Sequence, residues 1–120
     1  MKKILIVDDS RAMRMIVTRS LRQAGYGDSE FLEAADGDEA LGIIRAQDPD
    51  FVLSDWNMPN MLGIDLLKAV RAAGMKVRFG FVTSEVSESI KQQAREAGAS
   101  FLISKPFTSD AFKVAIAQAA

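Results

Sequence analysis

Cysteine and histidine are both absent from the 120 residues. Without cysteine there is no disulfide, no thiol nucleophile and no thiolate metal site. Without histidine the chain loses the commonest general base, the commonest transition-metal ligand and any phosphohistidine carrier role. No charge of one sign dominates either. The net charge is −1 with 26% charged residues, which argues against a nucleic-acid surface or a polyanion partner as the main business. Long apolar runs are missing too. Ile4-Leu5-Ile6-Val7 follows two lysines but is too short for a signal peptide, and no run approaches the length of a membrane span. A cytoplasmic protein with no membrane partner is expected, and its chemistry must come from carboxylates, hydroxyls, lysine or arginine.

What is present is ordinary for one globular domain over residues 1–120, with 48% hydrophobic residues. Ile4 to Val7 reads as a strand buried on both faces. Met13, Ile16, Val17, Leu21 and Ala24 then recur at helical spacing, and Gly25 supplies a stop. Glu30 to Glu33 is a short second strand. A second helix starts near Asp36, with Glu39 as its capping-box partner, and runs to about Ala46. Phe51-Val52-Leu53 is the third strand; Leu62, Leu66, Leu67 and Val70 mark the third helix, stopped by Gly74. Val77 to Val82 is the fourth strand, with Gly80 inside it leaving room for a neighbouring aromatic ring. A fourth helix from Ser87 to Gly98 has a thin apolar face of Ile90, Ala94 and Ala97, so it is expected to pack least firmly. Ser100 to Ser104 is the fifth strand, and a last helix follows with Ser109 as its cap and Phe112, Ile116 and Ala119 inward. Five strands alternating with five helices imply an α/β fold: a doubly wound parallel sheet with right-handed crossovers.

In such a sheet, ligands bind beyond the carboxyl ends of the strands. Those ends carry Asp8 and Asp9 after strand one, Asp55 after strand three, Thr83 and Ser84 after strand four, and Lys105 after strand five. Each alone has a plain reading: Asp8 or Asp9 as a helix cap, Asp55 as a turn residue, Thr83 as a strand-end residue, Lys105 as a solvated surface lysine. The combination is harder to dismiss, because the fold gathers the strand ends. Carboxylates converging to about 5 Å repel by roughly 3 kcal/mol per pair at an effective dielectric near 20. With hard oxygen ligands only, the natural answer is Mg²⁺ with retained waters, helped by the Lys105 ammonium. A pocket neutralised in this way suits a phosphoryl group, with a carboxylate attacking to give an acyl phosphate. Composition and spacing do not say which carboxylate attacks.

Val7-Asp8-Asp9, Asp55-Trp56-Asn57-Met58-Pro59, Val82-Thr83 and Lys105-Pro106-Phe107-Thr108, in this order and spacing, resemble the receiver domain of two-component response regulators. Among these the chain is most similar to the stand-alone chemotaxis members, through Trp56-Asn57-Met58-Pro59 and Ala97-Gly98-Ala99-Ser100. The resemblance implies a flavodoxin-like five-stranded sheet of order 2-1-3-4-5 with five helices, and a receiver over residues 1–120 with no output domain. It makes Asp55 the phosphoryl acceptor, charged from the phosphohistidine of a histidine kinase. Asp9, Asp55 and the backbone carbonyl of Asn57 would hold Mg²⁺, and Asp8 would act mainly through metal-bound water. Lys105, before a cis peptide bond to Pro106, would contact the phosphoryl group. Thr83 would turn toward it, coupling phosphorylation to the face made by helix four, strand five and helix five. Asn57 and Glu85 would flank the path of the hydrolytic water and so affect the lifetime of the phosphorylated state.

The implied protein is not a metabolic enzyme but a switch that catalyses its own phosphorylation and dephosphorylation. It is expected to be a monomer that acts in trans on a partner such as a flagellar motor switch protein. A phosphate sink or phosphorelay adaptor is the alternative within this chemistry. A haloacid-dehalogenase-like Mg²⁺ phosphatase is the remote one, weakened because Asn57 stands where that family has its second acid. Two positions depart from the receiver pattern. Leu102 occupies the place of the switch aromatic, with Phe101 pointing to the opposite face, and Ser84 replaces a smaller residue.

Overall fold

The computed structural model describes residues 2–119. Its aliphatic runs become β1 (Lys3–Val7), β2 (Glu30–Ala34), β3 (Phe51–Ser54), β4 (Arg78–Thr83) and β5 (Phe101–Ser104). All neighbours pair in parallel, in the order β2-β1-β3-β4-β5. The helices are α1 (Arg11–Leu21), α2 (Gly37–Gln47), α3 (Gly63–Ala72), α4 (Glu88–Glu96) and α5 (Ser109–Ala119). The expected α/β architecture and strand order are therefore present.

Alternation along each strand divides the core in two. Leu5, Val7, Val52, Phe79 and Phe81 face one side, where Ala40 and Ile44 of α2, Leu66, Leu67 and Val70 of α3, and Ala94 of α4 cover them. Ile4, Ile6, Phe51, Leu53, Val82 and Ile103 face the other, beneath Val17 and Leu21 of α1 and Phe112 and Ile116 of α5. Each fully buried Leu, Ile or Phe contributes about 1.5–3 kcal/mol relative to exposure, so both layers are needed. In α4 only Ala94 is buried, as its thin apolar face led one to expect.

Several boundaries differ from the sequence reading. α1 ends at Leu21, and the chain continues through a wider π-type turn, Arg22–Tyr26, inside which Gly25 leaves helical geometry at φ 104°. The periodic Ala24 extended the pattern one turn too far, because periodicity does not distinguish a widened turn from an α-helical one. The fourth strand spans Arg78–Thr83 rather than Val77 to Val82: its ladder begins where Arg78 meets Phe51 and lasts until Thr83 meets Ser104. Ser100 precedes the fifth strand, although its N–H donates to the Phe79 carbonyl at 2.7 Å. Ser109 is the first helical residue of α5, not its cap. The Thr108 hydroxyl takes that role, accepting from the Ala111 N–H at 3.3 Å.

Gly80 fulfils its expected part. It pairs with Phe101, and the Phe101 ring occupies the space that a Cβ on Gly80 would need. Strand glycines often permit such close approach.

Candidate functional site

Parallel pairing brings the carboxyl ends of β1, β3, β4 and β5 to one edge. Asp8 continues the β1 ladder, its N–H donating to the Ala34 carbonyl at 3.1 Å, and Asp55 does the same toward Val7 at 2.9 Å. The two acids thus leave adjacent strands as neighbours. Asp8, Asp9 and Asp55 each offer a carboxylate oxygen within 4.8 Å of the others. Lys105 closes the group, its Nζ lying 3.2 Å from Asp8 Oδ2 and 3.4 Å from Asp55 Oδ2. Its backbone N–H donates to the Thr83 carbonyl at 3.0 Å, and its peptide bond to Pro106 is cis.

Each acid is held differently. Asp8 is 4% exposed, and its Oδ1 accepts from the Ser10 N–H at 2.9 Å. Burial raises the Asp8 pKa above the ordinary 3.8, with Asp55 repulsion adding to it, and this outweighs the lowering effects of the Ser10 N–H and the Lys105 ammonium. Asp55 is half-buried, with Oδ1 accepting from the Trp56 N–H at 2.7 Å. Asp9 is exposed, and its side chain makes no hydrogen bond or ion pair among the described residues. Neither Asp8 nor Asp9 caps α1. Ser10 does, its hydroxyl accepting from the Met13 N–H at 3.2 Å, so both acids are released from the plain reading.

The loop after Asp55 is tightly built. The Gly63 N–H donates to the Trp56 carbonyl at 2.8 Å, and a Cβ on Gly63 would collide with the backbone oxygen of Asp55. Asn60 reaches back to Asp36 at 3.4 Å. Asn57 lies exposed in this loop, while Trp56 is buried against Phe81, ring centroids 4.9 Å apart. Thr83 is buried, and its hydroxyl accepts from the Glu85 N–H at 3.0 Å, while its carbonyl accepts from the Lys105 N–H. Ser84 and Glu85 are exposed. Sequence reasoning missed Arg14, whose guanidinium binds the Asp8 carbonyl and Glu33. One partner is a backbone carbonyl, which carries no residue signature, and the other, Glu33, is 19 residues away, so no local spacing marked it.

Three carboxylates and one ammonium leave two negative charges in a cluster of oxygen donors. That donor set fits a hard divalent cation such as Mg²⁺, which favours carboxylates and retained water over nitrogen or sulfur.

The response regulator receiver domain family matches residues 4–117, and the chain belongs to that family. Among its relatives, the chemotaxis protein CheY-3 of Vibrio cholerae serotype O1 is 43% identical over 113 residues, covering 92% of this chain and 85% of that protein. The chemotaxis protein CheY of Pseudomonas aeruginosa is 42% identical over the same length, covering 92% and 90%. Among solved structures, the chemotaxis protein CheY4 of Vibrio cholerae superimposes with a TM-score of 0.89 at 35% identity, covering 100% of this chain and 99% of the other. No helix among the described residues is long and apolar enough to cross a membrane.

Proposed function

We propose that this receiver is a phosphorylation-controlled switch of the chemotaxis type, accepting a phosphoryl group on Asp55 from the phosphohistidine of a kinase and signalling to a partner in trans. The observation that carries this reading is the convergence of Asp8, Asp9, Asp55 and Lys105 from three different strand ends. Asp55 Oδ1 is engaged by the Trp56 N–H, which leaves Oδ2, beside Lys105, as the attacking atom. Its lone pair forms the new P–O bond while the P–N bond to the donor imidazole breaks, and the ring, carrying a proton on its other nitrogen, takes that electron pair and departs as neutral imidazole. Lys105 neutralises charge on the arriving oxygens without having to move far. Asp9, Asp55 and the Asn57 carbonyl would hold Mg²⁺, with Asp8 acting through water. When bound, the ion screens the negative charge that would otherwise repel the phosphoryl group.

Thr83 is the relay. Its hydroxyl now serves the Glu85 N–H, and turning it toward a phosphoryl oxygen gives up that bond, releasing the loop that leads from β4 to α4. The output face is then α4, β5 and α5. In support, β5 is an edge strand, and beside it lies an open groove of about 740 Å³ lined by Ile103, Pro106, Ala111, Val114 and Gln118, among others. Val114 is 56% exposed. A flagellar motor switch protein is the partner we propose; the names of the relatives support a role in chemotaxis. Leu102 packs with the α2–α4 side and Phe101 with the α1–α5 side, so an aromatic rotamer does not carry the signal here. A phosphate sink or phosphorelay adaptor is the second reading, and Leu102 in place of an aromatic is the feature that supports it. The strand order and the family match leave little ground for the phosphatase alternative.

The test is phosphotransfer from a labelled kinase to the wild type and to Asp55→Asn. Acid-labile, hydroxylamine-sensitive label on the wild type alone is expected; label persisting in the variant would place the acceptor elsewhere. Steady hydrolysis of an external phosphomonoester would revive the phosphatase.

A further inference from the structure

Asp9 is the carboxylate in the cluster whose oxygens nothing holds among the described residues. Its position therefore depends on its backbone, and in particular on the Asp8–Asp9 peptide. The N–H of Asp8 still bonds across to β2 at the Ala34 carbonyl. The Asp8 carbonyl points to the same side, as N–H and C=O of one strand residue do, but β2 has ended at Ala34 and the chain is turning into α2. The missing donor comes from Arg14, one turn into α1. Its Nη1–H donates to the Asp8 carbonyl at 2.6 Å, while its Nε–H donates to Glu33 Oε1 at 2.9 Å. The Arg14 side chain is only 14% exposed, so this fork is set into the fold rather than waving at its surface.

We infer that Arg14 is a positioning residue for the divalent-cation site: it fixes the Asp8–Asp9 peptide and through it aims the Asp9 carboxylate. The inference rests on the reading of Asp8, Asp9 and Asp55 as a Mg²⁺ site. Arg14 touches neither the cation nor the phosphoryl group. A guanidinium is suited to the task because its planar fork binds two acceptors at once in a fixed geometry. Glu33, on β2, holds the other prong, so three segments are tied together behind the acids.

Charge and geometry make opposite demands here, which gives the idea a sharp test. Arg14 is a cation close to a cation site, so on Coulombic grounds its removal tightens Mg²⁺ binding. As a positioning residue, its removal loosens binding. Partners that orient metal ligands typically change affinity by about 10–100-fold when lost, and for a solvated site the lower end, about tenfold, is expected.

The experiment is a titration of the whole chain with MgCl₂, followed by amide ¹H–¹⁵N shifts, for the wild type, Arg14→Ala, Arg14→Lys and the exposed control Arg19→Ala. Arg14→Ala should bind about tenfold more weakly, with the Asp9 amide displaced even before metal is added. Arg14→Lys, able to reach one acceptor but not both, should fall between. Arg19→Ala should match the wild type. If Arg14→Ala fails to fold, Arg14→Lys decides the matter alone. Unchanged or tighter binding in the Arg14 variants, with a normal wild-type titration, overturns the assignment. A wild type that does not respond to Mg²⁺ overturns the metal reading itself, and this assignment with it.

Discussion

Replacing Asp8 by Asn should stabilise the metal-free protein at neutral pH. Asp8 is buried and faces two other carboxylates, each within 4.8 Å, and one ammonium at 3.2 Å. At an effective dielectric near 20, each repulsion is about 3.5 kcal/mol and the attraction to Lys105 about 5 kcal/mol. Removing the charge therefore relieves about 2 kcal/mol, and the exposure of Asp9 reduces this toward about 1 kcal/mol. Relief of the burial penalty adds to the gain. An Asn amide facing the Lys105 ammonium subtracts from it, although its oxygen still accepts from the Ser10 N–H. A rise of about 5 °C in Tm is the expected readout for a domain of this size.

The pH dependence fixes the mechanism. Because burial raises the folded pKa of Asp8 above 3.8, the folded chain holds that proton more tightly than the unfolded chain does. The stability contributed by this group is then full below the unfolded value and lost as pH rises through the raised folded value. The advantage of Asn over Asp should accordingly be absent near pH 3.8, grow through that window and stay level above it. Saturating Mg²⁺ should shrink or reverse it, since a ligand at ten times its Kd stabilises the wild type by about 1.4 kcal/mol and the variant lacks one of the acids. Thermal melts across pH, with and without MgCl₂, make the measurement. A variant less stable than wild type at pH 7 without metal would falsify the electrostatic account, as would an advantage that ignores pH.

Other perturbations follow from the packing. Gly80→Ala drives a methyl into the Phe101 ring and should cost about 1–3 kcal/mol; adding Phe101→Leu should recover part of it in denaturant titrations, and additive losses would mean the two do not interact. Gly63→Ala should push the loop away from the Asp55 carbonyl, lowering both Tm and Mg²⁺ affinity; calorimetry that finds only the first would dissociate this loop from the metal. Phe112→Ala, which empties a fully buried site edge-on to Phe107 at 4.7 Å, should cost about 3–5 kcal/mol while leaving phosphotransfer intact at low temperature. Trp56, next to Asp55 in the chain, is buried, and its backbone N–H binds that carboxylate, so a rearrangement at Asp55 should reach the indole and change its emission on adding Mg²⁺ and then beryllofluoride; a silent Trp56 would count heavily against such a rearrangement.

The alternation of aliphatic runs with periodic helices determined the α/β class, and the strand-end polar residues determined the candidate chemistry. Asp8, Asp9, Asp55 and Lys105 could be named from sequence because a parallel sheet aligns its carboxyl ends whatever the side-chain packing. Periodicity could not find the end of α1 at Leu21, because a widened turn keeps nearly the same apolar spacing. Nor could it choose Thr108 over Ser109 as the α5 cap, since both residues favour that position. Tertiary structure decided how the acids are held: Asp8, buried, by Ser10 and Lys105, Asp55 by its neighbour's N–H, Asp9 by a peptide that Arg14 grips from the first turn of α1. Of these contacts only Asp8–Lys105 joins residues remote in sequence; the others are short-range, but their geometry and energy depend on distance and burial set by the strand ends and α1, which no local pattern encodes.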